Sequence, residues 1–316
     1  MKPFVQKNKI IIDTDPGHDD AMALMLACKS AELDVLAVTT VAGNSTIQNT
    51  TRNARYILDC IGRSDIAVYS GASRPLKREL VQAVVHGASG LAGIDPQNEA
   101  RLTHDAADQI VRLVRENPNE VTIVTLGPLT NIAQAMAGDP ATMRQVRQII
   151  SMGGAISVAG NKNRVAEFNI FVDPEAADVV LQFAGVPKTL VPLDACNQVQ
   201  MHLNDFKRIQ DKALRTLLLK MLRPYIANLH VDTGVKAALM YDPLTVFFLL
   251  QPELCQTALY NVQVETNGEL TRGMTVADRR TVTDGLKPNA TVVTDINAAA
   301  FVTRFIDTLN GSSFQG

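Results

Sequence analysis

Lys9-Ile10-Ile11-Ile12-Asp13-Thr14-Asp15-Pro16-Gly17-His18-Asp19-Asp20 joins an apolar, β-branched run to four carboxylates in quick succession. Lys9–Ile12 has the brevity and composition of a strand buried on both faces of a parallel sheet. Asp13, Asp15, Asp19 and Asp20 then crowd its carboxyl end, and a helix is expected from Ala21. In open α/β sheets ligands bind beyond the carboxyl ends of the strands. Like charges held ~4 Å apart repel by several kcal/mol at intermediate dielectric. A hard divalent cation with oxygen ligands, Ca²⁺ or Mg²⁺, resolves that conflict. Capping of the following helix accounts for one of these carboxylates but not for four.

Outward from this segment, short apolar runs alternate with helical patterns. Val35–Val41, Ile66–Tyr69, Val121–Leu126, Arg147–Ser151 and Thr189–Leu193 read as further strands. Asp173-Pro174-Glu175 is a helix start, with Ala176, Val179, Val180 and Phe183 as its apolar face and Gly185 as its close. Asp242-Pro243-Leu244 opens Leu244–Leu250 in the same way. This alternation predicts an α/β fold, a mostly parallel central sheet flanked by helices. Past Asn204 the rhythm changes: Asp205–Leu229 reads as one or two helices, and Leu259–Glu265 and Thr291–Thr294 as late, antiparallel strands. No repeat, low-complexity segment or long linker divides the chain, so residues 1–316 are expected to form one domain.

The composition narrows the partners. Thirty Lys+Arg against 32 Asp+Glu give a net charge of −2, which offers neither nucleic acid nor an anionic membrane a basic surface. Zero Trp and 5% aromatics disfavour a base-stacking platform. The longest apolar runs, such as Val246–Leu250, fall far short of the ~20 residues that span a bilayer. Met1–Asn8 is polar and broken by Pro3, unlike the core of a secretion signal. Cys28, Cys60, Cys196 and Cys255 lie far apart without metal-ligand spacing. A cytoplasmic protein acting on a small molecule is the expectation.

Other strand ends carry polar groups: Gly43-Asn44, the turn Leu126-Gly127-Pro128-Leu129-Thr130-Asn131, Met152-Gly153-Gly154, Asn161, and Val165–Ile170. Glu167 and Asn169, two apart, share one side if that segment is extended. Carboxylates and amides gathered at several strand ends suit a polyhydroxylated ligand such as a sugar. Phosphate is disfavoured, since neither GxxxxGK[ST] nor GxGxxG occurs.

With His86-Gly87-Ala88-Ser89-Gly90-Leu91, Ala166-Glu167-Phe168-Asn169 and Asp242-Pro243, these motifs stand in the order seen in the inosine-uridine nucleoside hydrolases, which the chain resembles from about Lys9 to its C-terminal region. The resemblance implies a single α/β domain that binds Ca²⁺, assembles as a homodimer or homotetramer, and hydrolyses ribonucleosides to ribose and free base. Carried over position by position, Asp15, Asp20 and Asp242 resemble the carboxylate metal ligands, with the Leu126 carbonyl completing the set. Asp15 resembles the general base for the attacking water, and Asp13 a support behind it. Asp19, Asn44, Asn161, Glu167 and Asn169 resemble the ribose-binding groups, Met152 and Phe168 the packing around the sugar, and His86 a histidine near the base. Loss of the base leaves an oxocarbenium-like sugar, which an electron-rich lining stabilises.

One position departs from the family pattern. Many members place a His directly before the last metal Asp, where it protonates the leaving base; here it is Tyr241. A phenol with a reference pKa of about 10 is a poorer donor at neutral pH than an imidazole near 6.5. Tyr241 is therefore a candidate hydrogen-bonding group, and His230, in the segment with Tyr225 and Asn228, a candidate substitute acid. The base pocket leans slightly towards pyrimidines or mixed specificity. Two alternatives compete with this reading. A haloacid-dehalogenase-type phosphatase also begins with Asp-x-Asp, but lacks Pro16-Gly17 before Asp19-Asp20. A nucleoside-binding protein with weak or no turnover would follow if Tyr241 removed the acid.

Overall fold

The computed structural model describes residues 7–97, 99–281 and 285–311. The expectation about a secretion signal falls mostly on residues 1–6, outside the described residues. Nine strands form the main sheet: β1 (Asn8–Thr14), β2 (Leu33–Thr40), β3 (Val68–Ser70), β4 (Thr122–Thr125), β5 (Gln148–Met152), β6 (Lys188–Val191), β9 (Cys255–Val264), β10 (Thr275–Asp278) and β11 (Ala290–Ile296). The short β7 (Gln200–Met201) and β8 (Ala238–Leu239) pair separately, antiparallel. The main order is β10-β9-β11-β6-β5-β4-β1-β2-β3, parallel from β11 to β3 and antiparallel where β9 meets β10 and β11.

Burial on both faces follows from the three isoleucines of β1. Successive strand side chains point to opposite faces. Ile10 and Ile12 pack with Met22, Val38, Val124 and Ile150, whereas Ile11 packs with Ala37, Ile123, Ile149 and Leu190. The chain leaves β1 for β2 and β3 on one side, then returns to β1's other flank for β4, β5 and β6. This reversal opens a crevice between the carboxyl ends of β1 and β4, the usual ligand position in such sheets. Asp13 pairs with Thr125 across it, and the Leu126 amide donates to the Asp13 carbonyl at 2.8 Å.

Several local expectations shift in register. The helix after β1 spans His18–Lys29, three residues earlier than expected, so Asp19 and Asp20 lie in its first turn, where the helix dipole favours negative charge. Asp173 does cap Pro174–Gln182, accepting from the Ala176 amide. Its buried face, however, is Ala176, Ala177, Val180 and Leu181; Val179 is exposed and Phe183 lies past the helix end. Leu193 belongs not to β6 but to a helical turn, Leu193–Cys196, because Pro192 has no N–H with which to extend the ladder. Asp205–Leu229 resolves into two helices, Leu203–Phe206 and Lys212–Thr233. Of the late strands, β9 and β11 are antiparallel neighbours as expected. β10 escaped notice because Thr275–Asp278 is short and lies at the sheet's edge.

Candidate active site

Asp13, Asp15 and Asp20 are fully buried at the switch crevice, with Asp19 and Asp242 nearly so. The fold brings Asp242 there by a change of helix register. Its helix runs Tyr241–Leu250 with Met240, not Asp242, at the N-cap, so the Asp242 side chain is not used in capping. Carboxylate oxygens of Asp19, Asp20 and Asp242 all lie within 4.8 Å of one another. The carried-over ligand set shares Asp20 and Asp242 with this trio but has Asp15 where the geometry gathers Asp19.

Asp15 is nonetheless part of the same cluster. Its Oδ2 accepts from the Asn44 amide at 2.6 Å, while its Oδ1 is buried without a hydrogen-bond partner, as is Asp19 Oδ1. Asp20 is the best held: Oδ1 accepts from the Thr14 hydroxyl, and Oδ2 from the Gly17 amide at 2.9 Å and Asn44 Nδ2 at 3.1 Å. Behind them Asp13 Oδ1 accepts from Thr39 Oγ1 at 2.6 Å and Asn131 Nδ2 at 2.8 Å. Burial pushes the Asp15, Asp19 and Asp242 carboxyls well above the usual carboxylate range, and repulsion from Asp20 adds to it in each. Asp13 is pushed up to about 7 by burial, tempered by Asn131 and Thr39. Unpartnered oxygens and mutually repelling carboxyls in one buried place are what a hard cation would neutralise. The donor set fits a metal site.

Two glycines make room for Asp15. A Cβ at Gly43 would stand 2.1 Å from Asp15 Oδ2, and one at Gly127 would stand 2.4 Å from Asp15 Oδ1. Gly127→Ala should therefore displace the carboxylate and reduce turnover by about a hundredfold, the typical cost of a catalytic group moved by an ångström. Unimpaired activity in Gly127→Ala would show that Asp15 need not hold this position.

Above the carboxylates lies a cavity of about 280 Å³. All eight residues expected to bind substrate line it: Asp19, Asn44, His86, Met152, Asn161, Glu167, Phe168 and Asn169, together with Leu126, Tyr241 and Asp242. Asp15 and Asp20 lie beneath. The segment of Glu167 and Asn169 is not extended. Glu167 caps a short helix, Phe168–Val172, accepting from the amides of Asn169 and Ile170, and also from that of Gly154. Burial raises its carboxyl to about 7, with those amides opposing the shift. Asn169 Nδ2 donates to the Leu126 carbonyl at 2.8 Å, and this carbonyl has a second lone pair to offer. Asn161 Oδ1 accepts from the Phe168 amide at 2.8 Å, which ties together the loop that lines the cavity.

His230 is the expectation the structure does not support. It is exposed on the Lys212–Thr233 helix, its Nδ1 lies 3.1 Å from the Gly234 carbonyl, and it does not line the cavity. The apolar stripe of this helix turns Tyr225 and Leu229 inward and leaves His230 on the solvent side. A residue that sequence reasoning passed over, His18, takes a place beside the site instead. Its ring stacks with those of His86 and Tyr225, and its Nε2 lies 2.9 Å from the Ala92 carbonyl. Burial, then the neighbouring His18, lowers His86 well below the ordinary histidine range. The 3.8 Å approach of His86 Nε2 to Asp19 Oδ1 is thus not a charged pair. Only the apolar-to-polar change at Pro16-Gly17-His18 hinted at an inward histidine.

The family model for inosine-uridine preferring nucleoside hydrolase matches residues 10–303. The pyrimidine-specific ribonucleoside hydrolase RihA of Citrobacter koseri is 43% identical over 300 residues, covering 93% of this chain and 95% of that protein. Among solved structures, a plant nucleoside hydrolase, PpNRh1, superposes with a TM-score of 0.88 at 34% identity, covering 96% of this chain and 99% of that one. A purine-preferring ribonucleoside hydrolase from Gardnerella vaginalis gives 0.87 at 30% identity, covering 96% and 98%. A buried carboxylate cluster at the switch crevice, an amide-lined cavity above it and a match along nearly the whole chain agree: the protein belongs to the inosine-uridine preferring nucleoside hydrolase family.

Proposed function

We propose that the protein is a Ca²⁺-dependent ribonucleoside hydrolase that prefers pyrimidine nucleosides. The observation that carries the reading is the buried Asp15 Oδ1, unpartnered beneath a cavity lined by Asp19, Asn44, Glu167 and Asn169. The pyrimidine preference is supported by relatives named pyrimidine-specific at 41–43% identity, against a purine-preferring one at 30%.

Asp20, Asp242 and the Leu126 carbonyl, with Asp15 or Asp19 as the further carboxylate, would hold the ion. When bound, Ca²⁺ would supply the positive charge that lets these carboxylates stay ionised together. Asp15 Oδ1 accepts a proton from water as that water attacks the ribose C1′. The C1′–N bond breaks, its electron pair leaves with the base, and the base takes its proton from solvent, since the Tyr241 hydrogen is given to Asn197. Asp19 and Glu167 offer negative charge to the cationic sugar, while Asn44 and Asn169 supply amide partners to hydroxyls that lose water on binding.

We also propose a cytoplasmic location and assembly as a homodimer or homotetramer. The location is supported by four unpaired cysteines and by the finding that no described helix is long and apolar enough to cross a membrane. The test is ribose release from uridine, cytidine, inosine and adenosine. Faster release from the two pyrimidine nucleosides is expected. Tight nucleoside binding without release from any would favour the binding-protein alternative, and equal or faster purine turnover would remove the base preference.

A further inference from the structure

Besides the carboxylates and amides, the cavity is lined by Leu229 and Leu239 and by the rings of Tyr225, Tyr241 and His86. A planar base fits against these rings, and the polar atoms they carry decide which base edge is matched. The Tyr241 hydroxyl already has a partner. It donates to Asn197 Oδ1 at 2.9 Å. Asn197 closes the helical turn Leu193–Cys196, and its backbone amide donates to the Leu193 carbonyl at 3.0 Å, so the acceptor stands on an anchored backbone. A phenol has one hydrogen and two acceptor lone pairs. With the hydrogen given to Asn197, Tyr241 Oη has only lone pairs for a ligand.

We propose that Asn197 is a positioning residue that sets the hydrogen-bond polarity of Tyr241, so that the protein selects nucleosides whose base presents an exocyclic amino group, rather than a carbonyl, to Tyr241 Oη. The inference rests on the hydrolase reading above and specifies the substrate class of the same site. A base amino group at Tyr241 Oη is matched. A base carbonyl there sets lone pairs against lone pairs and leaves both oxygens unsatisfied. Cytidine and uridine differ by amino against oxo at C4, with the adjacent N3 changing from acceptor to N–H donor, and adenosine and inosine differ likewise at C6 and N1, with little change in size. The amino member of each pair is the one this arrangement favours.

The experiment measures kcat/KM for these four nucleosides in the wild-type protein and in Asn197→Asp, Asn197→Leu and Tyr241→Phe. Asn197 is exposed, so its variants should fold. Asn197→Asp retains an acceptor for the phenol hydrogen and should keep the amino-over-oxo ratio. Asn197→Leu frees that hydrogen, and Tyr241→Phe removes the oxygen; each should reduce the ratio by about tenfold, the worth of one matched hydrogen bond. A merely structural Asn197 would change all four values together. An unchanged ratio in Asn197→Leu overturns the proposal, as does a ratio lost in Asn197→Asp. No ribose release from any nucleoside by the wild-type protein defeats the hydrolase reading itself, and this proposal with it.

Discussion

Asp15→Asn is expected to lower kcat for ribose release by about a thousandfold, within the span typical of a lost general base, while KM changes only a few-fold. The amide is nearly isosteric with the carboxylate, so the tight fit against Gly43 and Gly127 survives. It cannot take a proton from water. Sugar binding would still be supported by Asp19, Asn44, Glu167 and Asn169, which line the cavity directly, whereas Asp15 lies beneath it. Steady-state kinetics separate the two parameters. A large rise in KM with kcat preserved would make Asp15 a binding group, and an unchanged kcat would remove it from catalysis altogether.

The second large effect is on stability, and its sign depends on pH. Asp13 and Glu167 titrate at about 7 in the fold against ordinary values of 3.8 and 4.5, and burial also raises the carboxyls of Asp15, Asp19, Asp20 and Asp242. A carboxyl held above its unfolded value binds its proton more tightly in the folded chain. For Asp13 and Glu167 the stabilising contribution is therefore full below about 4 and is lost as pH rises through about 7; for the other four it is lost in the same sense, as pH rises through their raised values. The metal-free protein should melt roughly 5–10 °C lower at pH 8 than at pH 5, the shift that a few kcal/mol produces in a chain of this size. Ca²⁺ should reverse most of the loss at pH 8 and do little at pH 5, because the ion competes with protons for the same oxygens. Thermal melts in EDTA and in Ca²⁺ at both pH values read this directly. A metal-free Tm that rises with pH would contradict the assignment of these carboxyls as burial-raised and mutually repelling.

Much of this site was legible in the sequence because its residues follow strand ends, and strand ends are marked by the passage from β-branched runs to Gly, Pro and Asp. Ile10–Ile12 located β1, and the eight residues that the family resemblance marked for substrate binding all line one cavity. Helix registers were harder to read. Asp242-Pro243 has the grammar of a cap, yet Met240 takes the cap and Asp242 joins the carboxylates, a difference decided by tertiary packing rather than local propensity. His230 misled because a helix face cannot be assigned from one histidine; the buried positions Tyr225 and Leu229 set the rotation that leaves it in solvent. The Tyr241–Asn197 bond joins residues 44 apart in the chain, and no local pattern announces it.

The most direct test of the account is a Ca²⁺ titration of EDTA-treated protein, following ribose release from uridine and the thermal midpoint in the same samples at pH 8. Both should rise together and saturate at the same Ca²⁺ concentration, and Asp242→Ala should abolish both responses. Full ribose release in EDTA, with no response to added Ca²⁺, would contradict the account.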